Sequence, residues 1–107
     1  MIIATHESEW IKEQSVQPLT INLYLPTRRE QEIGEWGCRV TIDFQNKLDQ
    51  IIYGDDSFQS LKLAVRFVRI LIDGFIAKGW HVAVRCDNGD IAAVGKADME
   101  KYIDAIF

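Results

Sequence analysis

The sequence predicts an α+β fold: an antiparallel sheet of about four strands packed against one long helix, followed by a β-hairpin and a short C-terminal helix. Three observations carry this expectation. Apolar residues recur at alternating spacings of three and four through residues 54–79, the period of a helix with a buried side. Trp36, Cys38, Val40, Ile42 and Phe44 alternate strictly with Gly37, Arg39, Thr41 and Asp43, the period of a strand. Asn88-Gly89 lies between two further alternating runs, and both residues tolerate the positive φ that a tight hairpin turn needs.

In chain order, residues 2–12 and 18–27 read as two strands around a polar link. Leu19, Ile21, Leu23 and Leu25 share one face of the second, while the first has the looser pattern of an edge partner. Residues 26–35 form a charged loop with Arg28, Arg29, Glu30 and Glu32, closed by Gly34. The strand at 36–44 then turns through 45–47 into a shorter strand at 48–53. After the helix, Trp80, Val82, Val84 and Cys86 alternate with His81, Ala83 and Arg85, and residues 91–94 return as the last strand. Met99, Tyr102, Ile103 and Ile106 mark one side of a helix at 98–106. No repeat or linker divides residues 1–107, so one domain is expected.

The long helix is the most informative stretch. Phe58, Leu61, Val65, Val68, Ile72 and Phe75, widened by Ala64 and Leu71, make a core-facing stripe. Lys62, Arg66, Arg69 and Asp73 make a narrow polar stripe. Beyond it Leu63, Phe67 and Ile70 form a second apolar line, which one sheet cannot cover, so it should meet the C-terminal segment, another chain or a ligand. Asp56 and Gln59 have capping-box spacing, and Asp55, Asp56 and Ser57 suit the positive end of the helix dipole. Gly79 is a natural left-handed stop. A membrane span is excluded, because each central charge would cost about 2.5 to 3.5 kcal/mol.

The 107 residues are 48% hydrophobic and 26% charged, an ordinary globular make-up, and the net charge of −4 argues against general nucleic-acid binding. Lys62, Arg66, Arg69 and Lys78 against Asp73 make the helix a positive strip on an acidic body. The start, MIIATHESEW, lacks a basic region and a long apolar run, and the cysteine content is low, so a cytoplasmic location is expected.

The motif Trp-x-Cys at Trp36 and Cys38, followed by Gly54, Asp56, Ser57, Gln59 and Leu61 in the order Gly-x-Asp-Ser-x-Gln-x-Leu, resembles a family of small uncharacterised bacterial proteins of unknown function. The resemblance extends from the N-terminal strands to Lys78 and is less distinct beyond. It implies a bacterial origin and supports the order of elements. It brings no catalytic residue with it.

Individual residues give no active-site constellation. Asp55, Asp56, Ser57 and Gln59 are the densest polar cluster; they could make an anion or side-chain pocket at the helix start, but capping needs the same residues and two carboxylates would repel an anion. His6, Cys38, His81 and Cys86 lack close ligand spacing, and both cysteines fall on the apolar side of their strands, so inert core thiols are expected and no metal or cofactor. His81 falls on the other side and should be exposed. Asp87, Asn88, Gly89 and Asp90 lack the spaced ligands of a calcium loop. Trp10, Trp36 and Trp80 are core or sheet-face residues by default. No nucleotide loop, nucleophile elbow or His-Glu metal motif occurs.

The expected function is therefore a non-catalytic protein-interaction domain, an immunity or antitoxin-like protein being one concrete form, with a protein partner, either a second copy or another chain. Its surface would be Lys62, Arg66 and Arg69 with Leu63, Phe67 and Ile70. The alternative is a small-molecule binding domain or weak enzyme with a pocket between the long helix and the sheet. A third reading, nucleic-acid binding through Lys62, Arg66 and Arg69, would show steep salt dependence.

Overall fold

A computed structural model describes residues 1–29 and 35–107. The elements are β1 (Ile2–Lys12), β2 (Ser15–Tyr24), β3 (Thr27–Arg29), β4 (Glu35–Phe44), β5 (Asn46–Gly54), α1 (Ser57–Ala77), β6 (His81–Arg85), β7 (Ile91–Ala93) and α2 (Lys96–Ile106). The α+β class and the order of elements are those expected. The sheet has seven strands rather than about four, all antiparallel.

The three added strands are β3 and the expected hairpin, β6 and β7, which joins the sheet beside β1. Residues 26–35 were expected as a loop, but β3 continues the line of β2 past Pro26 and pairs with the start of β4, Arg28 opposite Trp36, while β2 pairs with Val40 to Asp43. Residues 30–34 of that expected loop lie outside the described residues. The turn between β4 and β5 is tighter than the expected three residues. Gln45 alone makes it, in the left-handed region at φ 61°, so Phe44 faces Asn46 and the hairpin is paired to its base.

Burial is one-sided. Trp10, Leu19, Ile21, Cys38, Val40, Ile42, Phe44 and Val82 project to the face that carries both helices and form its core. The opposite face carries Thr20, Asn22, Arg39, Asp43, Asp49 and Arg85, an alternation typical of an antiparallel sheet with one wet face. There Arg39 makes a two-pronged contact with Asp49 at 2.6 and 2.9 Å and lies 4.6 Å over the Tyr24 ring, while Arg85 meets Glu9.

Helix α1 lies over β4 and β5, burying Ser60, Ala64, Val68 and Ile72, four residues spaced four apart. Phe58, expected in the core stripe, is 78% exposed. It sits in the first turn, before the helix reaches the sheet's apolar residues. The line of Leu63, Phe67 and Ile70 was expected to meet the C-terminal segment, another chain or a ligand; α2 packs on the side of Arg69 and Ile76. Asp104 accepts from Arg69 at 2.7 Å, and Met99 reaches the Val82 amide. Phe67 packs against the core on the β5 side and Leu63 is half-buried, so only Ile70 of that line, 61% exposed, stays open.

The join between β5 and α1 explains most of the motif at residues 54–61. Gly54 is buried, and a Cβ there would lie 2.5 Å from the Ser60 nitrogen and 2.9 Å from the Ser60 Cα, both helix backbone. Asp56 is the N-cap and accepts from the Gln59 amide at 2.7 Å. Gln59 Oε1 in turn accepts from the Asp55 amide at 2.6 Å, and the buried Ser60 hydroxyl donates to the Ser57 carbonyl. Glycine, acid, serine and glutamine at these positions thus fix how closely the helix starts against the strand. Gly54→Ala must push the first turn of α1 away from β5. The expected cost is about 1 to 3 kcal/mol, read as a lower urea midpoint with an unchanged slope; an unaltered midpoint would show that the turn shifts freely.

Candidate functional site

The two helices do not close over the whole apolar face. Between them, toward the N-terminal end of β1, lies a cavity of about 260 Å³ floored by Ala4, Thr5, His6, Ile21 and Leu23 and walled by Val65, Val68, Ile106 and Phe107. Its lining is mainly apolar because α1 presents β-branched residues there and α2 ends there. On the floor at β1 Ala4 is small and Thr5 turns its hydroxyl to Asn22 on the other face, so volume beside His6 is left unfilled.

His6 is the polar group of this cavity. Its ring meets Phe107 edge-on, with centroids 5.1 Å apart at 75°. Nε2 lies 3.0 Å from the Ser8 hydroxyl, which accepts from the Trp10 indole N–H at 2.9 Å. We take the Ser8 hydroxyl, which accepts from Trp10, as the donor to Nε2; the proton of the neutral ring then sits on Nδ1. A Ser-His contact of this kind is also the start of a nucleophilic site. Here no carboxylate orients the imidazole among the described residues, and Ser8 is held by a tryptophan as well, so the trio reads as a fixed polar seam in the floor.

Apolar side chains surround the cavity. Met1, Ile3, Leu25 and Ile106 are exposed at this end of the molecule, as is Ile2, which pairs with Tyr24 on the other face of the sheet, and Leu25 is tied to Met1 by a 2.8 Å backbone hydrogen bond. Phe58 lies seven residues before Val65, two turns along the same helix line, or about 10 Å. Strand β1 adds a free edge. One edge pairs with β2 throughout, but β6 pairs with the other only at Glu9, Trp10 and Ile11. Among the described residues nothing pairs with that edge from Ile2 to Ser8, and the segment from Ile2 to His6 carries no acid or strong base.

Two broader depressions lie on the wet face of the sheet, about 430 Å³ around Asn22, Arg39, Thr41 and Asp49 and about 550 Å³ around Glu7, Pro18, Thr20 and Arg85. Both are larger, and the second is more open. Arg39 and Arg85 are already taken up by Asp49 and Glu9, so these surfaces offer few groups for a ligand.

The residues singled out from the sequence are scattered. Lys62 and Arg66 are exposed on α1, whereas Arg69 is held by Asp73 and Asp104. Asp55, Asp56, Ser57 and Gln59 sit at the α1 start as described above. Cys38 is buried, and burial pushes its thiol up from the ordinary value. Cys86 is exposed, contrary to expectation, because β6 ends at Arg85 and Cys86 opens the turn, its amide bonded to the Asp90 carbonyl. His81, expected to be exposed, is half-buried with Nδ1 3.3 Å from the Val94 carbonyl. The cavity itself was not foreseen in detail, since its walls come from residues 4, 21, 65 and 107 with no common local pattern.

Fold and site together define a small α+β domain with a one-sided sheet, an apolar open end and, among the described residues, no group of three metal-ligating side chains. None of its described helices is long and apolar enough to cross a membrane. Residues 4–81 match the model of a family described as a domain of unknown function (DUF6968), and the chain belongs to that family. The match runs from β1 to the first residue of β6, so α2 and its wall of the cavity lie beyond it. No curated protein and no solved structure matches the chain.

Burial pushes the His6 imidazole below its ordinary value of 6.5, against a smaller opposing pull from Glu7. The unfolded chain therefore takes up this proton first as pH falls. Stability at this position is fully present above 6.5 and is lost as pH drops from there through the lower folded value. Comparing thermal unfolding at about pH 7.5 and about pH 5.5, His6→Gln should lose less stability than the parent over this window. Equal losses in the two proteins would show that His6 is not the group responsible.

Proposed function

We propose that the chain is a non-catalytic protein-interaction domain, and that its open end takes up an uncharged, extended segment of a partner protein. One observation carries this reading: from Ile2 to His6 the free edge of β1 lacks, among the described residues, the charged side chains, prolines and pairing that normally protect such edges, although a bulge between Ile2 and Ala4 twists its first residues. Backbone groups of β1 would supply hydrogen bonds to an added strand, and the neighbouring cavity would receive one of its side chains. Met1, Ile3, Leu25 and Phe58 extend the apolar surface well past the size of a small ligand, which favours a macromolecular partner.

The apolar side chains of the rim select the partner's chemistry. Glu7 and Lys62 lie just outside it, and a charged segment would leave its own charges desolvated over the patch. The small size and mild acidity of the chain suit an immunity or antitoxin-like role, in which the partner would be a toxin. The Lys62 and Arg66 stripe is a weaker candidate surface, since Arg69 is already neutralised by two carboxylates.

Selection from a random peptide library on the immobilised full chain tests the proposal. Uncharged apolar segments should be enriched, and Phe58→Glu and Ile3→Lys should each weaken the selected peptide roughly tenfold or more. Because both positions are exposed, each variant's melting temperature should stay close to the parent's. Enrichment of charged motifs, or unchanged binding by both variants, would contradict the proposal.

A further inference from the structure

We infer that the cavity between α1, α2 and the sheet is an anchor pocket for a compact, uncharged aromatic group bearing a hydrogen-bond acceptor, and that the Nδ1–H of His6 is the donor that reads it. The inference deepens the docking reading above and rests on it only for the source of the group, a side chain of the partner's segment with its carbonyl close by.

Size comes first. At about 260 Å³ the cavity exceeds the roughly 150 Å³ that admits benzene in an apolar core and falls short of the roughly 300 to 1,000 Å³ of drug-sized sites. A single ring with one small substituent fits that interval. Shape and polarity then favour an aromatic guest. His6 and Phe107 already stand edge to face in the wall, and a further ring can join them in the same geometry.

The polar seam decides the acceptor. With the Ser8 hydroxyl taken as the donor to Nε2, the neutral ring carries its proton on Nδ1, to which no described residue is bonded. A guest without an acceptor leaves that donor unsatisfied once water is displaced, which costs affinity. An anionic guest is disfavoured because, among the described residues, no lysine or arginine lines the cavity and the Glu7 carboxylate acts on the same imidazole. A neutral carbonyl or ether oxygen meets both conditions.

Three probes of similar size separate these possibilities on the full chain: acetophenone, which has an acceptor; cumene, which lacks one; and benzoate, which is charged. Binding is followed by the indole N–H resonance of Trp10, which is bonded to Ser8 and so to His6. Acetophenone should shift it saturably and bind about three- to tenfold more tightly than cumene. Benzoate should show no saturable shift. His6→Phe keeps an aromatic wall but no donor, so acetophenone should fall to the level of cumene while cumene still binds.

Equal affinity for acetophenone and cumene in the parent chain, tightest binding by benzoate, or no saturable binding by a folded protein would each overturn the inference. The outcomes also separate the two proposals. Peptide enrichment without probe binding overturns the pocket and leaves the docking reading standing. Probe binding without peptide enrichment overturns the docking reading, and the pocket then serves a free small molecule of the same chemistry.

Discussion

The apolar face of the sheet is wider than its main helix can cover. Helix α1, at 21 residues, spans about 31 Å. It also lies to one side, over β4 and β5. The face of β1 and β6 would be bare without α2, which lays Met99 and Ile103 against it. The Arg69 to Asp104 ion pair bridges the helices at the surface, where such a contact orients more than it stabilises.

How well the two helices close depends on side-chain size along the gap. At one end Phe44 packs against Phe75 and Trp80, with centroids 4.6 and 4.9 Å away, and Trp10 adds an edge contact. Four large rings fill the space there. At the other end the facing residues are Ala4, Leu23 and Val65, and the space stays open. The chain thus has a closed aromatic end that supplies rigidity and an open apolar end that supplies a surface, both following from where bulk falls along β1 and α1.

Much of this architecture was readable where a period is sustained locally. The alternation of β4, the length of α1, the turn at Asn88-Gly89 and the short terminal helix are all where residue patterns place them. The patterns fail where tertiary contacts decide. Phe58 continues the helical stripe yet has no sheet beneath it, and Cys86 continues the β6 alternation one residue past the last pair. Three residues of β3 hold no period at all and exist because β4 extends beyond β2. The candidate site was the least legible part. Its members are separated by up to a hundred residues, and the free edge of β1 follows from the shortness of β6, not from anything in β1 itself.

Everything proposed for this protein requires that the gap between the helices be open and apolar in the folded molecule. Crystals of the full chain held under xenon pressure test this directly, because xenon enters dry apolar cavities and not well-filled cores. The account predicts a xenon atom beside Val65, Val68 and Phe107. A structure in which α2 closes onto α1 there and no xenon binds would contradict it.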